Sequence, residues 1–270
     1  MRERNVDEKE KLQSRHPFIE VDGPPGIGKT TFTQLIAKSM GIGMFQEQFE
    51  ENPYLKDFYT SDDIKKPDYS FDCQMFFLAT DAVQIRKAPI LAEIKPVVSD
   101  AGRHMNSIIE KVQWMMHWIP DDLHKVYLSA DKNAYEGSIE PDIHLAMRGD
   151  EDEIIKRIME RGRKMELLMH TQHPDYFPLI IKEYEKWLER KIKEPGSHVH
   201  IIDINEFDLI ESEKGKEDAI TDTKNWLMYY LSNANQRNGV GSDGAKLILP
   251  NSFRNTPHFI DRTPGAKKYY

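Results

Sequence analysis

The chain has a single cysteine, Cys73, in 270 residues. That excludes an internal disulfide framework and a cysteine-built zinc site, and it points to a reducing compartment. No apolar run approaches the ~20 residues that a membrane span requires. The stretch from Met1 to His16 lacks the apolar centre of a secretory leader, and Asp7, Glu8 and Glu10 interrupt its basic residues as an organellar presequence would not. The expected setting is intracellular, in the cytoplasm or on the matrix side of a mitochondrion. Excess positive charge is absent too. A formal net charge of −8 argues against a protein that coats nucleic acid. What remains is 39% hydrophobic and 30% charged, over a length that suits one large α/β domain with appendages.

The most informative stretch is Phe18-Ile-Glu-Val-Asp22 followed by Gly23-Pro-Pro-Gly-Ile-Gly28-Lys29-Thr30-Thr31. It satisfies the phosphate-binding pattern G-x-x-x-x-G-K-[ST] at every fixed position. An apolar strand precedes it and an amphipathic helix with Leu35 and Ile36 follows, which is the context the pattern needs. Gly23, Gly26 and Gly28 let the backbone turn its N–H groups toward a phosphate, and the helix opening near Lys29 adds its positive end. Lys29 is expected to reach the β- and γ-phosphates of ATP or another nucleoside triphosphate. The Thr30 hydroxyl, with Thr31 beside it, is expected at Mg²⁺. The loop predicts a bound triphosphate and is silent about the acceptor.

Further along, Gly41 to Phe45 reads as a turn into a second short strand that ends at Gln46-Glu47, and strands are expected at Pro96–Ser99 ending on Asp100, at 142–147 and at 198–202. Helices are expected over 70–87, 104–118 (where Met105, Ile108, Val112 and Met115 make a core stripe), 151–162, 175–193 and 217–231. Alternating strands and helices imply a parallel sheet covered on both faces. The chain divides into a charged arm (1–16), a P-loop α/β domain (17–232) and a linker with an extended tail (233–270). Asn, Gly and Ser dominate the linker, and prolines interrupt the tail.

Across 17–231 these motifs resemble the deoxynucleoside kinase family. The second strand runs into Glu47-Gln-Phe-Glu-Glu-Asn52-Pro53-Tyr54-Leu55, like the family's E-P-x-x-x-N-P segment. Gln74-Met-Phe-Phe77-Leu78 is similar to its base-reading helix, and Arg157, Arg161, Gly162, Arg163 and Glu166 fit its lid, R-x-x-x-R-G-R-x-x-E. Tyr184-Glu-Lys-Trp187-Leu188 and Asp203-Ile-Asn-Glu206 fit two later segments. The resemblance implies a P-loop fold with an arginine-bearing lid, acting on a nucleotide and a deoxynucleoside, with a homodimer expected of a free kinase. It implies Glu47 as general base toward the sugar 5′-hydroxyl, and Lys29, Arg161 and Arg163 as charge stabilisers. Arg157 is implied at the nucleotide, Gln74, Asp81 and Tyr54 at the nucleoside, and Glu166 at its 3′ side. Asp100 joins Thr30 as an implied metal ligand.

Two positions depart from the family. Its third strand ends in an acidic-Arg-Ser motif, where this chain reads Asp100-Ala101-Gly102-Arg103; Ala101 stands where the arginine should, and Arg103 substitutes for it only if the loop carries two extra residues. Seven positions after Gln74, where the family has arginine, stands Asp81. A second reading follows. One branch of the fold is the non-catalytic, nucleotide-binding accessory subunit of mitochondrial respiratory complex I. Its C-terminal extension resembles Leu249-Pro250 and Pro264-Gly265-Ala-Lys267-Lys-Tyr269, which would place a protein partner or large assembly at residues 245–270. The phosphate loop also resembles that of adenylate kinase, and Asp100 with Arg103 resembles the Asp-Arg of thymidylate kinase, but neither family accounts for Asn52-Pro53-Tyr54-Leu55 or the Gln74 helix.

Overall fold

The computed structural model describes residues 14–46, 49–61, 66–100, 102–136, 138–236 and 246–247. Its centre is β1 (Phe18–Asp22), buried at all five residues. On one side β1 pairs with β3 (Val97–Ser99), which pairs in turn with β2 (Gly43–Phe45). On the other side lie β4 (Ile143–Arg148) and then β5 (Val199–Asp203). Every pairing is parallel, giving the order β2-β3-β1-β4-β5. The order reverses at β1, and ligands in such sheets sit beyond the carboxyl ends of the strands at that reversal. The phosphate loop leaves β1 there.

Helices cover the sheet: α1 (Lys29–Met40), α2 (Leu55–Thr60), α3 (Lys66–Ala92), α4 (Arg103–Met115), α5 (Asp121–Tyr135), α6 (Glu151–Arg161), α7 (Lys164–Gln172), α8 (Tyr176–Lys193) and α9 (Glu213–Gln236). In α1, Phe32, Thr33, Ile36, Ala37 and Met40 form the buried stripe, and Gly41 ends the helix in the left-handed region. A smaller core joins Phe18 and Val97 of the sheet to Leu78, Ala82 and Ile85 of α3 and to Tyr127 and Tyr135 of α5. The larger core takes in the rest of the sheet with α1, α4, α6, α8 and α9. Among the described residues no helix is long and apolar enough to cross a membrane.

The expected strands are all present within a residue or so, and the helices differ in instructive ways. α3 begins a turn earlier than 70, because the fully buried Lys66 donates to the carbonyls of Phe58, Tyr59 and Ser61 and so caps α2. α5 was not foreseen. Val126 and Leu128 are half exposed while Tyr127 is buried, which scrambles its apolar period. Its start signal, Pro120 followed by Asp121 and Asp122, was legible. The helix expected over 151–162 ends at Gly162 with φ of 69°, and a second lid helix, α7, follows that was not foreseen. Met115 is 39% exposed rather than core, because α4 ends there.

The expected boundaries also move. Arg15, assigned to the arm, forms a buried two-pronged pair with Asp142 at 2.6 and 2.9 Å, while Asp142 also accepts from the Phe18 N–H. Ser14–Arg15 pairs in parallel with Lys246–Leu247, and α9 continues to Gln236. The other tail residues on which the accessory-subunit reading rests lie outside the described residues.

Candidate active site

A cavity of about 670 Å³ opens at the carboxyl edge of the sheet, between the phosphate loop, α3, α4 and the lid. Pro24, Pro25, Gly26, Gly28, Lys29, Thr30 and Thr31 line one end. Gly26 and Gly28 adopt φ of 86° and 105°, a region that L side chains seldom enter. A Cβ at Gly26 would also collide with Ile158 of α6, so the loop is seated directly on that helix. Ile27, fully buried, anchors it from beneath. The Lys29 ammonium donates to the Gly23 carbonyl at 2.7 Å, which holds it across the loop. Gly23 itself starts the loop behind the lining. The first N–H groups of α1 and the exposed hydroxyls of Thr30 and Thr31 face the same space.

The lid closes over this end. Arg161 and Arg163 flank the left-handed Gly162, and both line the cavity. Arg161 holds the buried Glu166 carboxylate with two bonds, of 2.6 and 3.1 Å. Arg163 lies 3.6 Å from the same carboxylate, with its guanidinium 5.0 Å from the centre of the Phe49 ring. The lid therefore meets the segment after β2 at Phe49. Arg157 stands apart: it is buried, bonds Glu153 at 2.9 Å, and is not among the cavity-lining residues. Its expected role at the nucleotide has no support in this arrangement. It faces back along α6 because Glu153 is one turn away.

At the far end the cavity is aromatic with buried amides. Phe49 and Phe77 lie nearly parallel, 6.1 Å apart at 22°, and leave room for a flat ring beside them. Gln74 lines the wall, 2% exposed, and its Oε1 has no hydrogen-bond partner. Asp81 does not line the cavity. It is fully buried behind Asn106 and accepts a hydrogen bond from Asn106 Nδ2, so Asn106 takes the lining position that the sequence assigned to Asp81. Asn106 had no sequence signal of its own, since one helix gives no view of what faces it from another. Tyr54 is likewise displaced: it is 38% exposed, and its N–H caps the Asn52 side chain in the Asn52-Pro53 turn. Tyr59, Met105 and Tyr176, none of them foreseen, line the cavity. Burial pushes the hydroxyls of Tyr59 and Tyr176 well above the ordinary phenol range, so both stay protonated donors.

Asp100 and Gly102 complete the wall at the end of β3. Asp100 is buried and lines the same cavity as Thr30, and together they offer the hard oxygen ligands that Mg²⁺ prefers, so the chain's donor set fits that ion. Arg103 does not fill the place of the missing arginine. Its guanidinium pairs with Asp131 and Glu140 at 3.2 and 3.1 Å and lies 4.4 Å over the Tyr135 ring, outside the cavity lining. The two carboxylates on α5 and its following loop hold it there. Glu47 and Ala101 lie outside the described residues; Gln46, next to Glu47, lines the cavity.

A P-loop, two inward-facing lid arginines and an aromatic, amide-lined chamber in one cavity define a phosphoryl-transfer fold with a second site for a flat ring. Comparison with known proteins narrows the class. The family model for deoxynucleoside kinase matches residues 19–228, and the chain belongs to the deoxynucleoside kinase family. It is 30% identical over 181 residues to a deoxyguanosine kinase of Bacillus subtilis (strain 168), covering 63% of this chain and 77% of that one. It is 28% identical over 216 residues to a deoxyadenosine/deoxycytidine kinase of the same organism, covering 76% and 91%. In fold it is similar to a deoxyadenosine kinase from M. mycoides solved with bound dCTP. That match has a TM-score of 0.62 and 24% identity, covering 76% of this chain and 98% of that one. These relatives support the kinase branch over the accessory-subunit reading.

Proposed function

We propose that this deoxynucleoside kinase transfers the γ-phosphoryl group of ATP to the 5′-hydroxyl of an amino-bearing purine deoxynucleoside, deoxyguanosine or deoxyadenosine. The observation that carries it is one cavity holding the phosphate loop, Arg161 and Arg163 at one end and the Gln74 and Asn106 amides at the other. Phosphoryl transfer asks for positive charge around three equatorial oxygens, and Lys29, Arg161, Arg163 and the loop N–H groups supply it. Thr30 and Asp100 would hold Mg²⁺, which when bound neutralises charge on the phosphate oxygens. Glu47, two residues beyond β2 in sequence, is assigned the proton of the 5′-hydroxyl. Arg161 now holds Glu166. An arriving phosphate competes for the guanidinium and frees the carboxylate for the sugar 3′-hydroxyl.

The choice of base follows from hydrogen-bond polarity. Asn106 donates through Nδ2 to the Asp81 carboxyl, which leaves Asn106 Oδ1 to offer. The partnerless Gln74 Oε1 is a second acceptor. Two acceptors call for a base edge rich in N–H donors. Guanine presents N1–H and an amino group, adenine and cytosine an amino group, and thymine only its N3–H.

The test is ATP-dependent phosphorylation across a panel of deoxynucleosides with Mg²⁺. The purines are expected to lead and thymidine to trail, and Glu47→Gln to abolish product. If the panel yields no product while ATP still binds, the kinase assignment fails. A chain that prefers thymidine would overturn only the base assignment.

A further inference from the structure

Behind Gly102 lies a group of side chains that phosphoryl transfer does not use. Glu20 and Asp22 project from β1, and His144 projects from β4 at the position paired with Glu20. Their exposures are 1%, 0% and 1%, and none lines the cavity. One donor atom from each lies within 4.8 Å of the other two. His144 Nδ1 and Asp22 Oδ2 share a hydrogen bond of 2.7 Å. Glu20 Oε1, Glu20 Oε2, Asp22 Oδ1 and His144 Nε2 have no partner.

A different element supplies independent support. Tyr184 of α8 is fully buried, and its hydroxyl too is partnerless. It is close enough to Asp22 for that carboxylate to oppose ionisation of the phenol, after the larger effect of burial. Buried polar atoms in folded proteins are almost always satisfied. Here three carboxylate oxygens and an imidazole nitrogen lie together without a hydrogen-bond partner among the described residues, and the Tyr184 hydroxyl near Asp22 is partnerless as well. A cation fits that deficit. Two carboxylates and a neutral imidazole balance one divalent charge. The mixture of oxygen and nitrogen donors suits Zn²⁺ or Mn²⁺, whereas Mg²⁺ favours oxygen ligands and retained water.

We propose that Glu20, Asp22 and His144 form a buried site for a first-row divalent metal ion, separate from the Mg²⁺ of the nucleotide. Asp22 immediately precedes Gly23, so the ion clamps the root of the phosphate loop to β4. The Tyr184 hydroxyl donates to a ligating carboxylate and orients it.

The experiment uses the full-length chain without nucleotide, stripped with EDTA, loaded with Zn²⁺ or Mn²⁺ in turn, desalted and assayed for metal. About one ion per chain is expected to be retained. Glu20→Gln and His144→Asn are expected to lose it, and Thr30→Val, at the nucleotide Mg²⁺ position, to keep it. Chelation should lower the Tm of the wild type and leave that of Glu20→Gln unmoved. Should those variants fail to fold, Co²⁺ loading of the wild type decides, since imidazole and carboxylate ligation gives visible absorption bands. Absence of both retained metal and a chelator-dependent Tm overturns the site. So does an ion that survives Glu20→Gln or disappears in Thr30→Val.

Discussion

Two connections at the carboxyl edge of the sheet share one plan, strand to glycine to helix, yet their glycines serve different ends. Gly28, before α1, has φ of 105° and ψ of 17°, and a Cβ there would come no nearer than 3.9 Å to Met147 Cε. Space is ample, and conformation demands the glycine. Gly102, before α4, has an ordinary extended backbone with φ of −102°. A Cβ there would lie 2.7 Å from Glu20 Oε1 and 3.3 Å from Asp22 Oδ1. Conformation is permissive, and the buried carboxylates demand the glycine. The first loop is specified locally by its own sequence. The second is specified by a residue some eighty positions away.

The largest test of this contrast is Lys29→Ala in the first loop. It should lower kcat about 10²–10³-fold while leaving the melting temperature nearly unchanged, because the ammonium serves the phosphate more than the fold. Next comes Gly102→Ala, expected to destabilise by about 1–3 kcal/mol through overpacking. A second change, Glu20→Ala, should restore part of that loss, giving a non-additive cycle in chemical denaturation. Gly28→Ala should cost about 1–2 kcal/mol from its backbone conformation alone, and no neighbouring truncation should relieve it. Additivity at Gly102, or rescue at Gly28, would break the contrast.

The remaining two are smaller. Asp81→Asn frees the orientation of Asn106, so the preference for purines over thymidine in kcat/KM should narrow by about tenfold, the scale of one hydrogen bond. On α8, outside the cavity lining, burial tends to raise the Glu183 carboxyl, but bonds of 2.6 and 2.5 Å from Lys111 and Lys186 outweigh it and hold it below the usual carboxylate value. Its stabilisation is present above the unfolded value and is lost as pH falls through the folded one. Both lysines are about half exposed, so the effect is modest, about 1 kcal/mol. Glu183→Gln should flatten the acid limb of stability below the usual carboxylate value by that amount, read by urea denaturation across pH.

The same division explains what the sequence disclosed. The sheet, the loop and the lid arginines were legible because each is encoded in a short contiguous pattern whose meaning is local. The fates of Asp81, Arg103, Arg157 and Tyr54 were not. Each depends on which partner it meets in the folded chain, respectively Asn106, the Asp131 and Glu140 pair, Glu153 and Asn52. Glu153 and Asn52 are near in sequence, but side-chain direction, not spacing, settles whether a residue turns to a neighbour or into a cleft. Asn106 and the Glu20–Asp22–His144 group appear only when helices and strands are brought side by side. An acidic residue inside a strand that the pattern requires to be fully buried was a signal the sequence did contain.

The pairing of Ser14–Arg15 with Lys246–Leu247 has a practical consequence for rewiring the chain. Points that enclose the whole catalytic domain lie side by side, on an anchor that Arg15 makes to Asp142. They could be spliced by a short flexible connector, and the chain reopened at a surface turn such as Glu194–Ser197, to give a circular permutant. Because the pair is parallel, the connector must double back. The permutant would put both new ends on the β5 side, distant in sequence from the phosphate loop and the lid.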